Sequence, residues 1–73
     1  MPYDLVTRVG CHLCDDAAAA LHDLGIEFRE VDVDADSELQ RLYDFRVPVL
    51  LDGDAVIAEG RLDRARLSSA LGR

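Results

Sequence analysis

The amino-acid sequence predicts an α/β domain in which helices pack on a mixed four-stranded β-sheet, in the order β-α-β-α-β-β-α. Two observations lead to this fold class: four short apolar stretches have the pattern of strands, and three other segments carry apolar residues at helical spacing. Helix caps and glycine turns separate these segments. Because a chain of 73 residues builds only one modest core, we expect a single domain spanning residues 1–73.

The first strand and the first helix are predicted on either side of a glycine. Residues 4–8 form a short strand that Gly10 ends. A helix follows, because apolar residues recur at intervals of three and four; they are Cys14, Ala17, Ala18, Leu21 and Leu24. Gly25 then occupies the position after a helix where a left-handed residue is wanted, and Ile26 is placed to contact Leu21, as in a Schellman motif.

The second strand and the second helix are short. The strand alternation slips once, at Glu30, which either a bulge or a strand boundary would explain. The apolar positions of this strand are Ile26, Phe28, Val31 and Val33. Asp36 or Ser37 then caps a short helix, and Ser37 with Gln40 fits a capping box. The apolar face of that helix comprises Leu39, Leu42 and Tyr43.

The third and fourth strands are predicted to form a hairpin. Residues 47–51 lead into the third strand, Asp52-Gly53 is a turn signal, and residues 55–58 form the fourth strand. Strands separated by helices are expected to pair in parallel, whereas the hairpin must be antiparallel. The sheet is therefore expected to be mixed.

The last helix has clear start and stop signals. Asp63 is its predicted N-cap, and Gly72 ends it. Leu62 precedes the cap and Leu67 is the fourth helical residue, which is the spacing of a hydrophobic staple.

The charge of the chain excludes one class of partner. Fifteen acidic residues against eight basic ones give a formal net charge of −7, and no basic patch is present, so we exclude nucleic acid. Six of the acids fall within residues 27–38, which we interpret as a solvated face. No charged leader precedes an apolar run and no apolar run has membrane length, so we expect a cytoplasmic protein that binds no membrane.

Cys11 and Cys14 form a C-x-x-C pair, which in the cytosol is more often catalytic or metal-binding than structural. Cys11 lies where the first helix begins, so unpaired backbone N–H groups and the helix dipole favour its thiolate and are expected to lower its pKa. Cys14 lies one turn further, on the apolar stripe, and should be the more buried sulfur. One exposed thiolate with a sheltered partner is the arrangement that dithiol exchange requires.

Charged neighbours act on this thiolate in opposite directions. Arg8 and His12 are placed to add positive charge near Cys11, and we expect both to contact substrate. Asp15 and Asp16 follow the motif and favour the neutral thiol instead. The size of the change in the Cys11 pKa is therefore left open.

Two other classes of function remain at this point. A closed zinc site needs four ligands, and His12 and His22 do not make a second ligand pair of usable spacing, so we expect no metal. An iron–sulfur or zinc site could still use Cys11 and Cys14, for example in a dimer completed by external thiols. The second alternative is a non-catalytic docking module, for which a second cysteine would have no purpose.

These residues together resemble the glutaredoxins of the thioredoxin-fold superfamily. The features are CHLC between a strand and a helix, Val47-Pro48 before a strand, and a turn with a glycine and an acid before the last helix. The resemblance covers nearly the whole chain and is nearest to small glutaredoxin-like proteins whose C-x-x-C lacks Pro-Tyr. It implies a thioredoxin-like fold and a thiol–disulfide oxidoreductase.

The resemblance also implies roles for individual residues. Cys11 matches the nucleophile and Cys14 the resolving cysteine. Pro48 matches a proline that follows a cis peptide bond, and the backbone of Val47 matches the segment that pairs with a thiol substrate like an added strand. Gly60 and Asp63 match part of the glutathione-binding signature, which usually has two glycines and paired acids.

The incomplete signature bears on the electron donor. We expect no bound cofactor. The source of electrons is expected to be glutathione, another low-molecular-weight thiol or a reductase. The partners are then a disulfide-containing protein or a small thiol substrate. We expect a monomer.

Overall fold

A computed structural model of the chain describes residues 3–72, and these contain four strands, three α-helices and one 3₁₀ turn. The elements are β1 (Tyr3–Thr7), α1 (His12–Asp23), β2 (Phe28–Asp32), the 3₁₀ turn (Val33–Ala35), α2 (Ser37–Tyr43), β3 (Val49–Asp52), β4 (Ala55–Glu59) and α3 (Arg64–Leu71). The predicted order of strands and helices is confirmed, as is the mixed four-stranded sheet.

The strand order is β2-β1-β3-β4, with β1 parallel to β2 and β3 antiparallel to both β1 and β4. The expectation of parallel pairing holds for β1 and β2 but is wrong for β3. The reason is the length of α2, which at seven residues spans only about 10 Å. It packs against the 3₁₀ turn that follows β2, so the chain re-enters the sheet from the end at which it left.

Alternate residues of the central strands build a core on each face of the sheet. Leu5 and Leu50 face α1 and α3, where Ala17, Ala20, Leu21, Ile26, Leu62 and Leu67 complete one cluster. Val6, Val49 and Leu51 face the other way and pack with Val33 of the 3₁₀ turn and Tyr43 of α2. Of the predicted helical stripe, Ala18 and Leu24 are only partly buried, and Ala20, which was not predicted, is buried.

The predicted caps of α1 and α3 are confirmed. Gly25 has φ +69°, and the N–H groups of Gly25 and Ile26 donate to the carbonyls of His22 and Leu21, each at 3.0 Å. These are the two hydrogen bonds of a Schellman motif. At α3, the Asp63 carboxylate accepts the Arg66 N–H at 2.8 Å, and Gly72 with φ +71° ends the helix. The staple residues Leu62 and Leu67 are both buried in one cluster.

The cap of α2 is Asp36, and the predicted capping box is wrong. The Asp36 carboxylate accepts the N–H groups of Glu38 and Leu39, which leaves Ser37 as the first helical residue. The Gln40 side chain instead donates to Asp34 at 3.0 Å. An aspartate one residue earlier satisfies the same N–H groups, so the box is not required.

The bounds of the strands also differ from those predicted. The β1–β2 register runs without interruption from Tyr3–Phe28 to Thr7–Asp32, so Glu30 is not a bulge, and Ile26 and Val33 lie outside β2. As an edge strand, β2 does not need strict alternation. In the hairpin, Asp52 is the last residue of β3, and Gly53, with φ +61°, begins the two-residue turn.

Within the part of the chain that the structure describes, none of the helices has the length and apolar character needed to cross a membrane.

Replacing Leu67 with alanine should lower the free energy of unfolding by about 2–5 kcal/mol, because the side chain is fully buried and leaves a cavity between α3 and the sheet. Leu42→Ala is the matched control, since Leu42 is 39% exposed and should cost less than about 1 kcal/mol. Urea denaturation measures both. Equal losses in the two variants would contradict the described core.

Candidate active site

Cys11 lies at the boundary between a tight turn and α1. After β1 ends, the Cys11 N–H donates to the carbonyl of Arg8 at 3.2 Å, which closes a four-residue turn. Gly10 within this turn has φ +79°, a left-handed conformation that favours glycine. Cys11 itself has extended backbone angles and is the N-cap residue of α1. The turn therefore fixes Cys11 at the positive end of the helix dipole.

The Cys11 sulfur takes the role that a side-chain oxygen usually has at a helix N-cap. Its Sγ accepts the backbone N–H of Cys14 at 3.1 Å. The residue is half-buried, and both cysteines are free thiols. A sulfur that accepts a backbone N–H and remains reachable from solvent has the environment of a reactive cysteine.

Cys14 has the opposite environment. It lies one turn into α1 and is 2% exposed, packed on the side of the helix that faces the sheet. Burial, followed by the hydrogen bond with Cys11, raises the pKa of the Cys14 thiol to about 12. The resting form of Cys14 is therefore the protonated thiol.

The peptide bond between Val47 and Pro48 is cis, as predicted. Val6 of β1 pairs with Val49 of the antiparallel β3. The residues that follow β1 and those that precede β3 therefore lie at the same end of the sheet. This places the proline loop beside the Cys11 turn. Pro48 is fully buried. Val47 is half-buried and packs against the core cluster that contains Val33 and Tyr43.

The backbone groups of Pro48 and Val47 differ in their hydrogen bonding. The Gly60 N–H donates to the Pro48 carbonyl at 2.9 Å, which continues the β3–β4 pairing by one residue. Gly60 has φ +82°. Among residues 3–72, the Val47 N–H and C=O take part in no turn, loop or cap hydrogen bond.

Arg8 binds two carboxylates of the same chain. Its Nε and Nη2 donate to the two carboxylate oxygens of Asp34, each at 2.9 Å, and its Nη1 donates to the Asp44 carbonyl at 3.0 Å. The Asp44 carboxylate also accepts from Nη2. The Arg8 guanidinium lowers the pKa of the Asp34 carboxyl to about 2. Sequence reasoning missed these partners, which lie 26 and 36 positions away.

The remaining predicted site residues are spread around the start of α1. His12 is the first residue of α1 and is exposed. Asp63 is exposed, and its carboxylate caps α3. Eight residues were predicted for the site, and hydrogen bonds join two pairs of them, Cys11 with Cys14 and Pro48 with Gly60. The backbone carbonyl of Arg8 also accepts from the Cys11 N–H and closes the turn.

Two cavities flank the start of α1. One of about 400 Å³ lies between β1, α1 and β2, and its lining includes Arg8, Val9, Cys14, Asp15, Glu30 and Asp32. The other, of about 300 Å³, lies between α1 and α3 and is lined by residues that include Leu13, Arg61, Asp63 and Arg64. The first cavity thus combines a cysteine with three carboxylates.

The described residues contain no group of three or more histidine, cysteine or acidic side chains that could hold a metal ion. His22, the second histidine, is exposed on α1, and its ring meets the Phe28 ring edge-on at a centroid distance of 5.0 Å.

A sequence model of the Glutaredoxin-like domain (DUF836) family matches residues 4–72. A structural genomics target protein from X. campestris is 37% identical in sequence, with a TM-score of 0.86, and the match covers 96% of this chain and 95% of that one. Protein Ne2328 from Nitrosomonas europaea is 32% identical with a TM-score of 0.80, over 97% of this chain and 86% of that one. A comparison with curated proteins gives no match.

More distant structures define the fold. A glutaredoxin from Archaeoglobus fulgidus, 16% identical, has a TM-score of 0.68 over 94% of this chain and 84% of that one. The chain therefore has the predicted thioredoxin-like fold.

The raised pKa of Cys14 should make the reduced protein less stable at alkaline pH. Between the ordinary value of 9.0 and the folded value of about 12, the unfolded chain loses the Cys14 proton while the folded chain keeps it. The free energy of unfolding therefore falls as pH rises above the ordinary pKa, and at about pH 10.5 it is about 2 kcal/mol lower than at neutral pH.

Urea denaturation of the reduced wild type and of Cys14→Ala, at about pH 8 and about pH 10.5, measures this effect. The wild type should lose about 2 kcal/mol more than the variant on going to the higher pH. An equal loss would contradict the assignment, because the variant retains every other titrating group.

Proposed function

The chain belongs to the Glutaredoxin-like domain (DUF836) family, and we propose that it is a thiol–disulfide oxidoreductase in which Cys11 attacks and Cys14 resolves. The observation that carries this proposal is the contrast between the two sulfurs. The Cys11 sulfur is half-buried and accepts a helix N-terminal N–H, while Cys14 is buried and protonated. The two-cysteine thioredoxin-like fold supports a redox function in general.

In the first step, the Cys11 thiolate attacks one sulfur of the substrate disulfide. A bond forms between that sulfur and Cys11 Sγ, the substrate S–S bond breaks, and the second substrate sulfur leaves as a thiolate that takes up a proton. The hydrogen bond from the Cys14 N–H holds the Cys11 sulfur at the start of α1.

In the second step, Cys14 loses its proton and attacks Cys11 Sγ, so an intramolecular disulfide forms and the bound substrate sulfur leaves as a thiol. Two electrons have then passed from the dithiol to the substrate disulfide. Formation of the mixed disulfide removes the hydrogen bond with the Cys11 thiol, one of the causes that raise the Cys14 pKa. Attack by Cys11 therefore prepares Cys14 to react.

Substrate orientation is assigned to the backbone of Val47. Its N–H and C=O make no loop hydrogen bond within residues 3–72, and the antiparallel pairing of β1 with β3 brings it beside the Cys11 turn. An extended substrate segment could pair with these groups as an added strand. We propose that His12, exposed at the start of α1, contacts the substrate. Arg8 instead holds the turn, because its guanidinium is bound to Asp34 and Asp44.

A thiol or reductase must return the dithiol to its reduced state. Glutathione is the less favoured donor, because the groups that would bind it are already used. The Gly60 N–H donates to Pro48, and the Asp63 carboxylate caps α3. We place the activity in the cytoplasm, where thiols are kept reduced.

The two cysteines should respond differently to substitution. Alkylation of the reduced protein near neutral pH should label Cys11 first, because Cys14 is buried and protonated. Cys11→Ser should abolish exchange. Cys14→Ser should still be attacked by substrate but should accumulate a mixed disulfide on Cys11, seen by mass spectrometry as an adduct that reduction removes. A reversed labelling order would overturn the roles.

Glutathione should support turnover at least about tenfold more slowly than it does for a glutaredoxin with the complete binding signature, since each missing polar contact costs roughly this factor. Coupled assays of the two proteins measure the difference. Dithiothreitol is the control donor, because it needs no binding site and should support both. Equal rates with glutathione would show that Arg61 or Asp63 recognises it.

A further inference from the structure

Two large apolar side chains, one in the turn that leads to Cys11 and one in the turn after α2, are almost fully exposed. Val9 is 87% exposed and Phe45 is 94% exposed, whereas the other exposed large apolar residues of the described chain, Leu42 and Val56, are 39% and 41% exposed. A single exposed apolar residue is ordinary on a protein surface. Val9 and Phe45 differ because they belong to the two segments that carry the candidate site.

Each of these residues lies in the middle of a hydrogen-bonded turn. Val9 is within the turn closed by the Cys11 N–H and the Arg8 carbonyl, at 3.2 Å. Phe45 is within the turn closed by the Arg46 N–H and the Tyr43 carbonyl, at 2.9 Å. The closing bonds hold both residues where the chain reverses direction. We call Val9 and Phe45 the apolar turn pair.

Arg8 connects the two turns. It immediately precedes Val9, and its guanidinium donates to the carbonyl of Asp44, which immediately precedes Phe45. The turn that contains Val9 also ends at Cys11. The two turns that carry the apolar turn pair are therefore linked through Arg8, and one of them ends at Cys11.

An acidic cavity adjoins Val9, one member of the apolar turn pair. The cavity of about 400 Å³ has Val9 and Cys14 in its lining together with the carboxylates Asp15, Glu30 and Asp32. Arg8 is the cation in this lining, and it is already bound to Asp34 and Asp44. The electrostatic complement of the cavity is a positively charged side chain.

From this arrangement we propose that the apolar turn pair docks a polypeptide substrate with an apolar residue beside its disulfide cysteine and a basic residue close by. The apolar residue covers Val9 and Phe45, and the basic side chain enters the acidic cavity. A glutathione disulfide has no apolar or basic side chain beside its cysteines, and its carboxylates outnumber its ammonium groups, so the acidic cavity disfavours it. This inference rests on the proposed function, since it names the substrate class of the same dithiol.

The test uses two short peptides, each a homodimer joined by one disulfide, with leucine and arginine beside the cysteine in one and serine and glutamate in the other. Bis(2-hydroxyethyl) disulfide is the small substrate. Reduced protein is mixed with each, and single-turnover rates are followed by chromatography. Wild type should reduce the leucine–arginine peptide about tenfold faster than the serine–glutamate peptide, the scale of one central contact.

Phe45→Ser and Val9→Ser should each remove most of this preference. Val56→Ser is the matched control, because Val56 pairs with Leu51 at the end of the sheet away from Cys11, and it should keep the preference. Equal rates for the two peptides in wild type, or an equal loss in Val56→Ser, would overturn the docking inference alone. If the wild type reduced none of the three disulfides, the proposed function itself would be overturned.

Discussion

The hydrogen bonds of the Arg8 guanidinium to Asp34 and Asp44 hold together three segments on which the candidate site depends. Arg8 begins the turn to Cys11, Asp34 lies in the 3₁₀ turn after β2, and Asp44 leads into the loop of the cis proline. The planar guanidinium suits this task because it can bind several oxygens at once. With the Asp34 pKa lowered to about 2, this ion pair persists from neutral to strongly acidic pH.

The two sulfurs differ because the helix places them in different surroundings. Cys11 is at the helix N-terminus, where the Cys14 N–H reaches its sulfur, and Cys14 is one turn further against the sheet. A spacing of three residues therefore gives one accessible and one sheltered thiol on the same helix. The loop before β3 lies at the same end of the sheet as Cys11, and the Val47 backbone in this loop is the segment to which we assign substrate pairing.

Features that depend on nearby residues could be predicted from the sequence. The Schellman end of α1, the Asp63 cap and the Leu62–Leu67 staple all rest on contacts within a few positions, and each was predicted correctly. The α/β class and the mixed sheet were predicted from the order of strands and helices, whereas the thioredoxin-like fold and the cis Val47–Pro48 bond were predicted because the chain resembles a known family. Features set by distant contacts were not predictable, including the antiparallel direction of β3 and the partners of Arg8. The exposure of Phe45 had no signal in the sequence, because Phe45 belongs to none of the apolar patterns that define the helices and strands.

The central claim is that Cys11 and Cys14 act as one two-electron couple, and an equilibrium redox titration tests it most directly. The protein is equilibrated in dithiothreitol buffers of graded potential, quenched with an alkylating reagent and examined by mass spectrometry. The account predicts only two species, one with both cysteines alkylated and one with an intramolecular Cys11–Cys14 disulfide and no label, interconverting in a single two-electron transition. A chain that never forms this disulfide, or whose cysteines oxidise independently of each other, would contradict it.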